Sequence, residues 1–408
     1  MNSSSQSPYE TQPVTQEKET PPHHGPSALE IAAHAVAQLE DNPFFNSGHG
    51  AVFTRDGINE LEASVMVSRG FKKRGVGVMG LRRVRNPILL ARKMLEHGEQ
   101  DLAPSSLLLD VDVPSAQGHT QLHGETAERL AEQYGLEMVD PGYFFTQQRW
   151  DEHVRALERE KRGLGLGTWH ADEHLPQGTC GAVALDAEGV ICAATSTGGM
   201  TNKLTGRIGD TPVVGAGFWA EEWEDESQES SMWEKLTSQV KRAQPGISFT
   251  GPLKCLLADC FPTPWMYSPV NLGESQRLSL TKRTTSTRSI GVSGTGNGDS
   301  FLRINAVRTV AAIARYKPLA GNKALSQVVG PGGELQKSAG DRWTRTGEGE
   351  GGMIGIECTL VRDEDGNAVG VRSELLMDYN CGGMWRAWVD DEGKAVMSAW
   401  SNGSADEL

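Results

Sequence analysis

The 408-residue chain carries 53 Asp and Glu against 39 Lys and Arg, a formal charge of -14, with 38% apolar residues. That balance offers no basic face to exchange for counterions, which argues against nucleic acid as a partner. No apolar run reaches the roughly 18 residues of a membrane span, so no membrane partner is expected either. The length predicts two or three domains, or one large one. Glycine, 48 of 408 against a usual ~7%, points to tight turns and close backbone approaches. The six cysteines form no CxxC pair and no charged start leads into an apolar stretch, so free thiols in the cytoplasm are expected. The closing ADEL only faintly echoes an ER-retrieval address.

Residues 1–26 have almost nothing to bury and predict a disordered tail. Ser27 and Glu30 make a capping box for a helix with Ala28, Ile31, Ala32, Ala35 and Leu39 on one face. Asp56-Gly57 predicts a hairpin turn between Ala51–Thr54 and Leu61–Met66. A helix is expected after Asn86, with Pro87 at its first position, and others over Ala127–Tyr134 and Gln147–Arg162. GAVALD and VICAATST (181–197) read as two strands around an Ala187-Glu188-Gly189 turn. SIGVSG (289–294) reads as a strand before a helix over about 300–316. GGMIGIECTLV and AVGVRSELL flank an Asp365-Gly366 turn as a later hairpin. Helices with antiparallel strands and short turns predict a layered α+β architecture, with no internal repeat. Residues 221–288 stand apart as an insertion: the opening EEWEDE reads as a solvated face, and one apolar island lies at 252–267.

The candidate chemistry is narrow. All ten histidines precede position 179, so the later, strand-rich part cannot supply a Ser-His-Asp triad. His170 and His174 are four apart, but Glu173 is not placed as in H-E-x-x-H and Pro176 follows, so surface histidines are expected. GLGLG (163–167) lacks a preceding strand and the third fingerprint glycine. Thr179, after Gly178, offers another solution. If the 178–179 bond breaks, its hydroxyl becomes the nucleophile, and its own α-amine, with a pKa near ~8, becomes the base. Its β-methyl restricts χ1 and holds the hydroxyl in one direction. Cys180 points to the opposite face of the same strand and is expected to pack rather than react.

GTCGAVALD (178–186), TSTGGMTNKLTGRIGDTPVVGAG (195–217) and VSGTGNGDSFLR (292–303) together resemble the plant-type asparaginase / isoaspartyl peptidase family of N-terminal-nucleophile hydrolases. The match extends to LEDNPFFNSGHGAVFTRDGINELEASVM (39–66), RVRNPILLARKMLE (83–96), GEGGMIGIE (349–357) and YNCGGMWRAW (379–388). The resemblance implies a four-layer αββα sandwich and autocatalytic cleavage between Gly178 and Thr179. A 27–178 α portion and a 179–408 β portion of one hydrolase domain would result. Carried over by position, Thr179 is the nucleophile and Thr197 its neighbouring hydroxyl. Thr295 and Gly296 form the oxyanion hole, Arg207 and Asp210 the substrate clamp, and Asn46 stands near the active centre. The 39–49 loop resembles one whose backbone carbonyls hold a structural sodium ion, at Leu39, Glu40, Asn42, Phe45, Ser47 and His49. No cofactor is implied for catalysis.

The implied activity is hydrolysis of the side-chain amide of L-asparagine or of β-aspartyl dipeptides, by a dimer of cleaved α/β protomers. Such substrates keep a free α-amine and α-carboxylate beside the scissile carbonyl. A planar Arg207 fork suits the carboxylate and Asp210 the ammonium. Two alternatives remain at this stage: an uncleaved, inactive relative acting as an interaction module, and a glycosylasparaginase- or threonine-aspartase-like hydrolase. The chain departs from the family where a first strand running into HGGAG belongs. It has TPPHHGPSALE there: either the strand is missing, which would expose a sheet edge, or its sequence has diverged.

Overall fold

The computed structural model describes residues 25–69, 75–100, 116, 118–162, 178–224, 284–390 and 392–401. Helix α1 (Ala28–Glu40) opens on the expected capping box: Ser27 Oγ accepts from the Glu30 N–H, and the Glu30 carboxylate accepts from the Ser27 N–H. Its buried stripe is Ala28, Leu29, Ala32, Ala33, Val36, Ala37 and Glu40, while Ile31 is exposed. The expected face is therefore rotated, because the alanine stripe gives the flatter surface for close packing on a sheet. Asp56-Gly57 does form a turn, closed by the Thr54 N–H to the Ile58 carbonyl, but 51–54 forms no strand.

Strands β1 (Leu61–Val67), β2 (Val76–Leu81), β3 (Gln121–His123), β4 (Cys180–Leu185) and β5 (Ile191–Thr197) make one sheet in the order β3-β2-β1-β5-β4. Strands β6 (Phe218–Glu224), β7 (Thr285–Gly296), β8 (Gly351–Arg362) and β9 (Ala368–Tyr379) make a second, antiparallel sheet in that order. A separate hairpin pairs β10 (Gly383–Val389) with β11 (Ala395–Ser401). Helices α1, α2 (Pro87–Gln100) and α3 (Gly124–Gln133) pack on the first sheet, and α4 (Gln147–Lys161) follows them. Along the rest of the chain come α5 (Gly298–Ile304), α6 (Ala306–Tyr316), α7 (Gly321–Val329) and α8 (Glu334–Ser338), of which α6 and α7 pack on the second sheet. The single helix expected over 300–316 is two, because Asn305 takes a left-handed conformation (φ 49°) between them.

β5 is buried along its whole length, so both faces are covered. Cys192 and Ala194 join the core beneath α1 and α2, and Ser196 bonds to Glu40 of α1. Thr195, one residue out of phase, meets Ser293 of β7 at 2.8 Å. The period of two thus sends even residues to the helices and odd residues to the second sheet. β4 repeats the pattern. A Cβ on Gly181 would stand 2.1 Å from Ser293 Oγ, so only glycine allows the sheets to approach there.

The first sheet draws strands from both sides of position 178: β1 pairs with β5, Glu62 opposite Thr197. Among the described residues β4 pairs only with β5 and ends the sheet; residues 20–24 of the TPPHHGPSALE stretch lie outside the described residues. The segment expected as an insertion at 221–288 begins and ends inside sheet strands, β6 and β7. Glu221 of EEWEDE is 1% exposed, with Arg308 and Arg315 at 3.3 and 2.8 Å, so it belongs to the body and not to a solvated face. Residues 225–283, with the apolar island, lie outside the described residues, as do residues 1–24, GLGLG, His170, His174 and ADEL. Among the described residues no helix is long and apolar enough to cross a membrane.

Glu40, fully buried at the end of α1, ties three elements together. Its Oε1 accepts from Ser196 Oγ of β5 (2.6 Å) and from the Ile88 N–H in the first turn of α2 (3.0 Å), while Oε2 has no partner. Burial pushes its pKa up to about 8. The unfolded carboxyl ionises near ~4.5 while the folded one stays neutral, so stability is lost as pH rises between about 4.5 and about 8. Glu40→Gln keeps the acceptor and cannot ionise. Its denaturant midpoint is expected to fall less than that of the wild type between pH 5 and pH 8.

Candidate active site

The strand ends of the two sheets meet in a cavity of about 470 Å³, lined among others by Asn46, Gly178, Thr179, Thr197, Arg207, Asp210, Thr295 and Gly296. Strand register brings the threonines together. Cys180 pairs with Ser196, so one step along the antiparallel ladder Thr179 stands opposite Thr197. Both are odd-numbered and share the face turned toward β7, where Thr295 and Gly296 end the strand. Contact is close: a Cβ on Gly178 would lie 2.3 Å from Thr295 Oγ1. Only a glycine lets that hydroxyl sit against the 178–179 peptide. Gly296 has φ 148°, and a Cβ there would meet the Glu350 carbonyl at 2.4 Å.

Thr197 Oγ1 accepts from the Gly199 N–H at 3.0 Å, fixing the turn that leaves β5. Asn46 holds the same turn. Its Nδ2 donates to the Gly199 carbonyl (2.8 Å), its Oδ1 accepts from the Val52 N–H (3.0 Å), and its own carbonyl accepts from the Gly198 N–H (3.0 Å). The geometry therefore gives Asn46 a bracing position at the cavity wall.

Arg207 and Asp210 line the same cavity as the threonines. Arg207 Nη2 bonds to Asp299 Oδ1 at 3.1 Å. Asp210 is 5% exposed and its Oδ2 has no partner. Burial, with Glu62 adding to it, pushes Asp210 up to about 7 against the pull of its own backbone N–H and Arg207. A Cβ on Gly298 would stand 2.5 Å from Asp210 Oδ1 and 3.0 Å from Arg207 Nη2, so glycine at the head of α5 leaves room for the pair. Beneath them lies Glu62 of β1, buried, accepting from the Gly209 N–H (2.9 Å) and leaving Oε2 unpartnered. Burial raises its pKa, against Lys203, the Gly209 N–H and Arg207. Lys203 is buried too, donates to the Glu60 carbonyl at 2.9 Å, and has its pKa lowered by that burial.

Sequence reasoning missed Glu62, Lys203 and Asp299. Glu62 left a signal, as the lone carboxylate within the apolar strand LEASVMV. Lys203 and Asp299 stand inside the motifs GGMTNKLTGR and GTGNGDS, where nothing distinguishes them from surface charges. Among the described residues no group of three or more His, Cys, Asp and Glu could hold a metal ion.

A sequence model of the asparaginase family matches residues 11–103 and 110–224. The isoaspartyl peptidase of Escherichia coli K12 is 31% identical over 364 residues, covering 89% of this chain and 79% of that protein. The chain belongs to the plant-type asparaginase / isoaspartyl peptidase family. Similarity within the family also reaches the isoaspartyl peptidase/L-asparaginase of Mus musculus, 36% identical over 197 residues (48% of this chain, 52% of that protein). The plant-type L-asparaginase of Pyrococcus abyssi is 38% identical over 200 residues (48% and 58%).

Cys180, beside the proposed nucleophile, faces the helices. Burial pushes its thiol up to about 11, and that of Cys192 up to about 12. Both thiols stay protonated at neutral pH and are poor nucleophiles. Iodoacetamide at pH 7.5 is expected to leave Cys180 and Cys192 unmodified in the native protein and to modify both after denaturation, as read by peptide mass spectrometry.

Proposed function

We propose that the chain is an N-terminal-threonine amidohydrolase, cleaved autocatalytically before Thr179, that hydrolyses the side-chain amide of L-asparagine and β-aspartyl peptides. The observation that carries this reading is the convergence of Gly178, Thr179, Thr197, Thr295, Gly296, Arg207 and Asp210 on one cavity. Membership of the family supports hydrolysis as the class of reaction. The packing of helices on each sheet and of β5 on β7 supports the four-layer αββα sandwich.

Maturation begins when Thr179 Oγ attacks the Gly178 carbonyl carbon. The C–N bond breaks, an ester forms, and water hydrolyses it to leave Gly178 as a carboxylate and Thr179 with a free amine. The described sheet survives this cut, because β1 stays paired to β5 across it. In turnover, the Thr179 amine takes the hydroxyl proton as Oγ attacks the substrate's side-chain carbonyl. The Thr295 hydroxyl and Gly296 N–H face the developing oxyanion, and one such donor is typically worth 10²–10³ in rate. The amine returns its proton to the leaving nitrogen, and water then hydrolyses the aspartyl ester. Arg207 binds the α-carboxylate, and Asp210, ionised against the α-ammonium, sets the substrate's orientation. An α-peptide lacks that pair of charges and would leave both clamp groups uncompensated.

The remaining assignments follow the same reading. The 39–49 loop suits a structural sodium ion, since the Glu40 and Phe45 carbonyl oxygens lie within 2.3 and 2.2 Å of where Cβ atoms on Gly48 and on the adjoining Gly50 would stand. An all-oxygen set fits a hard cation that braces the loop carrying Asn46. The Leu39, Asn42 and Ser47 carbonyls already accept backbone bonds and contribute through their second lone pairs. A dimer of cleaved protomers in the cytoplasm completes the proposal.

Denaturing electrophoresis with intact-mass measurement is expected to show a 178-residue fragment and one of the remaining 230 residues that begins with Thr179. A single full-length band after long incubation would favour the inert relative. Thr179→Ala is expected to abolish cleavage and turnover, and Arg207→Ala to spare cleavage while losing turnover. Below about pH 7 Asp210 takes a proton in place of the ammonium. KM for L-asparagine should therefore rise about tenfold per pH unit there, a dependence absent from Asp210→Asn.

A further inference from the structure

Besides the threonines and the clamp, the cavity is lined by Arg345 and Trp385. The clamp segment is anchored on β1 and the approach to β6: the Gly209 N–H bonds to Glu62, and Ser64 Oγ bonds to the Thr211 carbonyl. Thr295 at the end of β7 pairs with Gly352 of β8, and Gly352 pairs with Tyr379 of β9. The chain then turns through Cys381 into β10, which carries Trp385, so Trp385 lies on the flank opposite the clamp. A substrate with its α-amine and α-carboxylate on Arg207 and Asp210 and its carbonyl at Thr295 points its leaving group that way. Asparagine, which releases only ammonia, uses none of this space.

Among the described residues three arginines line the cavity. Arg149 is committed to the carbonyls of Gly50 and Phe44 and to Glu152. Arg207 belongs to the clamp. Arg345 uses its backbone N–H, bonded to the Arg342 carbonyl, but its guanidinium has no partner among the described residues. Its loop is held in shape: Thr344 sits in the left-handed region (φ 65°), Glu348 pairs with Arg303 and Arg342 at 2.9 and 2.6 Å, and the Gly349 N–H bonds to Ser300 Oγ. Trp385, 59% exposed, lines the same cavity as Arg345, whose side chain is exposed as well.

We propose that Arg345 and Trp385 form a leaving-group subsite that reads the residue released from a β-aspartyl dipeptide. Arg345 takes its free α-carboxylate and Trp385 its apolar side chain. The subsite rests on the reading of Thr179 as nucleophile and deepens it: β-aspartyl dipeptides ending in a large apolar residue are preferred over longer isoaspartyl peptides, whose next peptide bond replaces that carboxylate. Arg345 is a specificity residue, since the bond it makes is to a group remote from the chemistry.

The test compares β-aspartyl-leucine, β-aspartyl-leucinamide and L-asparagine as substrates of the full-length protein. Wild type is expected to favour the dipeptide over its amide by about tenfold in kcat/KM, the scale of one charge-assisted hydrogen bond. Arg345→Ala is expected to erase that preference through KM, and Arg345→Lys to restore part of it. Trp385→Ala should lower kcat/KM for β-aspartyl-leucine relative to β-aspartylglycine. An unchanged dipeptide-to-amide ratio in Arg345→Ala, with wild type cleaved at 179 and turning over asparagine, overturns the subsite alone. A wild-type chain that neither cleaves nor turns over any of the three substrates overturns the hydrolase reading and the subsite with it.

Discussion

The two-residue period of β4 and β5, set between a helical layer and a second sheet, is the constraint from which the site follows. Cys180, Ala194 and Ser196 are directed to α1 and its neighbours, so Thr179, Thr195 and Thr197 must face β7. A slip of one residue would put the Cys180 thiol against Thr295 and bury the Thr179 hydroxyl beneath a helix. The register is held by contacts remote from the cavity, among them Ser196 to Glu40 and Thr195 to Ser293. The glycines then complete what register begins, since Gly178 and Gly181 leave no side chain between the sheets where the hydroxyls must meet.

The proposed clamp shows how folding stores electrostatic preference. Glu62 and Asp210 are buried with an unpartnered oxygen each, and Lys203 and Arg207 are the cations set against them. Holding carboxylates away from water is costly, and both are pushed toward their protonated forms. A ligand ammonium would restore the charged form of Asp210 and supply the missing bond. The scaffold bears that cost through the burial of the two apolar cores on either side of the sheets. The same accounting leaves Arg345 as the cavity's uncommitted cation among the described residues.

Much of this was legible in the sequence because it is local. The Ser27–Glu30 capping box, Pro87 opening α2, the 187–189 turn between β4 and β5 and the hairpin about Asp365-Gly366 each depend on a few adjacent residues. The motif residues were legible as types: a threonine after glycine, an arginine three before an aspartate, a glycine-rich strand end. Other features depend on neighbours distant in sequence. The stripe of α1 turned from Ile31 to the alanines once the sheet beneath it was in place. Glu221 became an interior charge because Arg308 and Arg315 of α6 reach it. The break at Asn305 divides a run that periodicity reads as continuous.

By itself the sequence determined the secondary elements that local hydrogen bonding and turn chemistry fix, the residues able to act as nucleophile and clamp, and the kinship that links them. Tertiary structure alone decided that Thr179, Thr295 and Arg207 share one cavity, that Glu62 lies beside Arg207 and Asp210, and that Arg345 and Trp385 line the same cavity. The reason is physical. Propensity and capping act over a few residues, whereas burial, charge and cavity shape arise from strands brought together across more than a hundred.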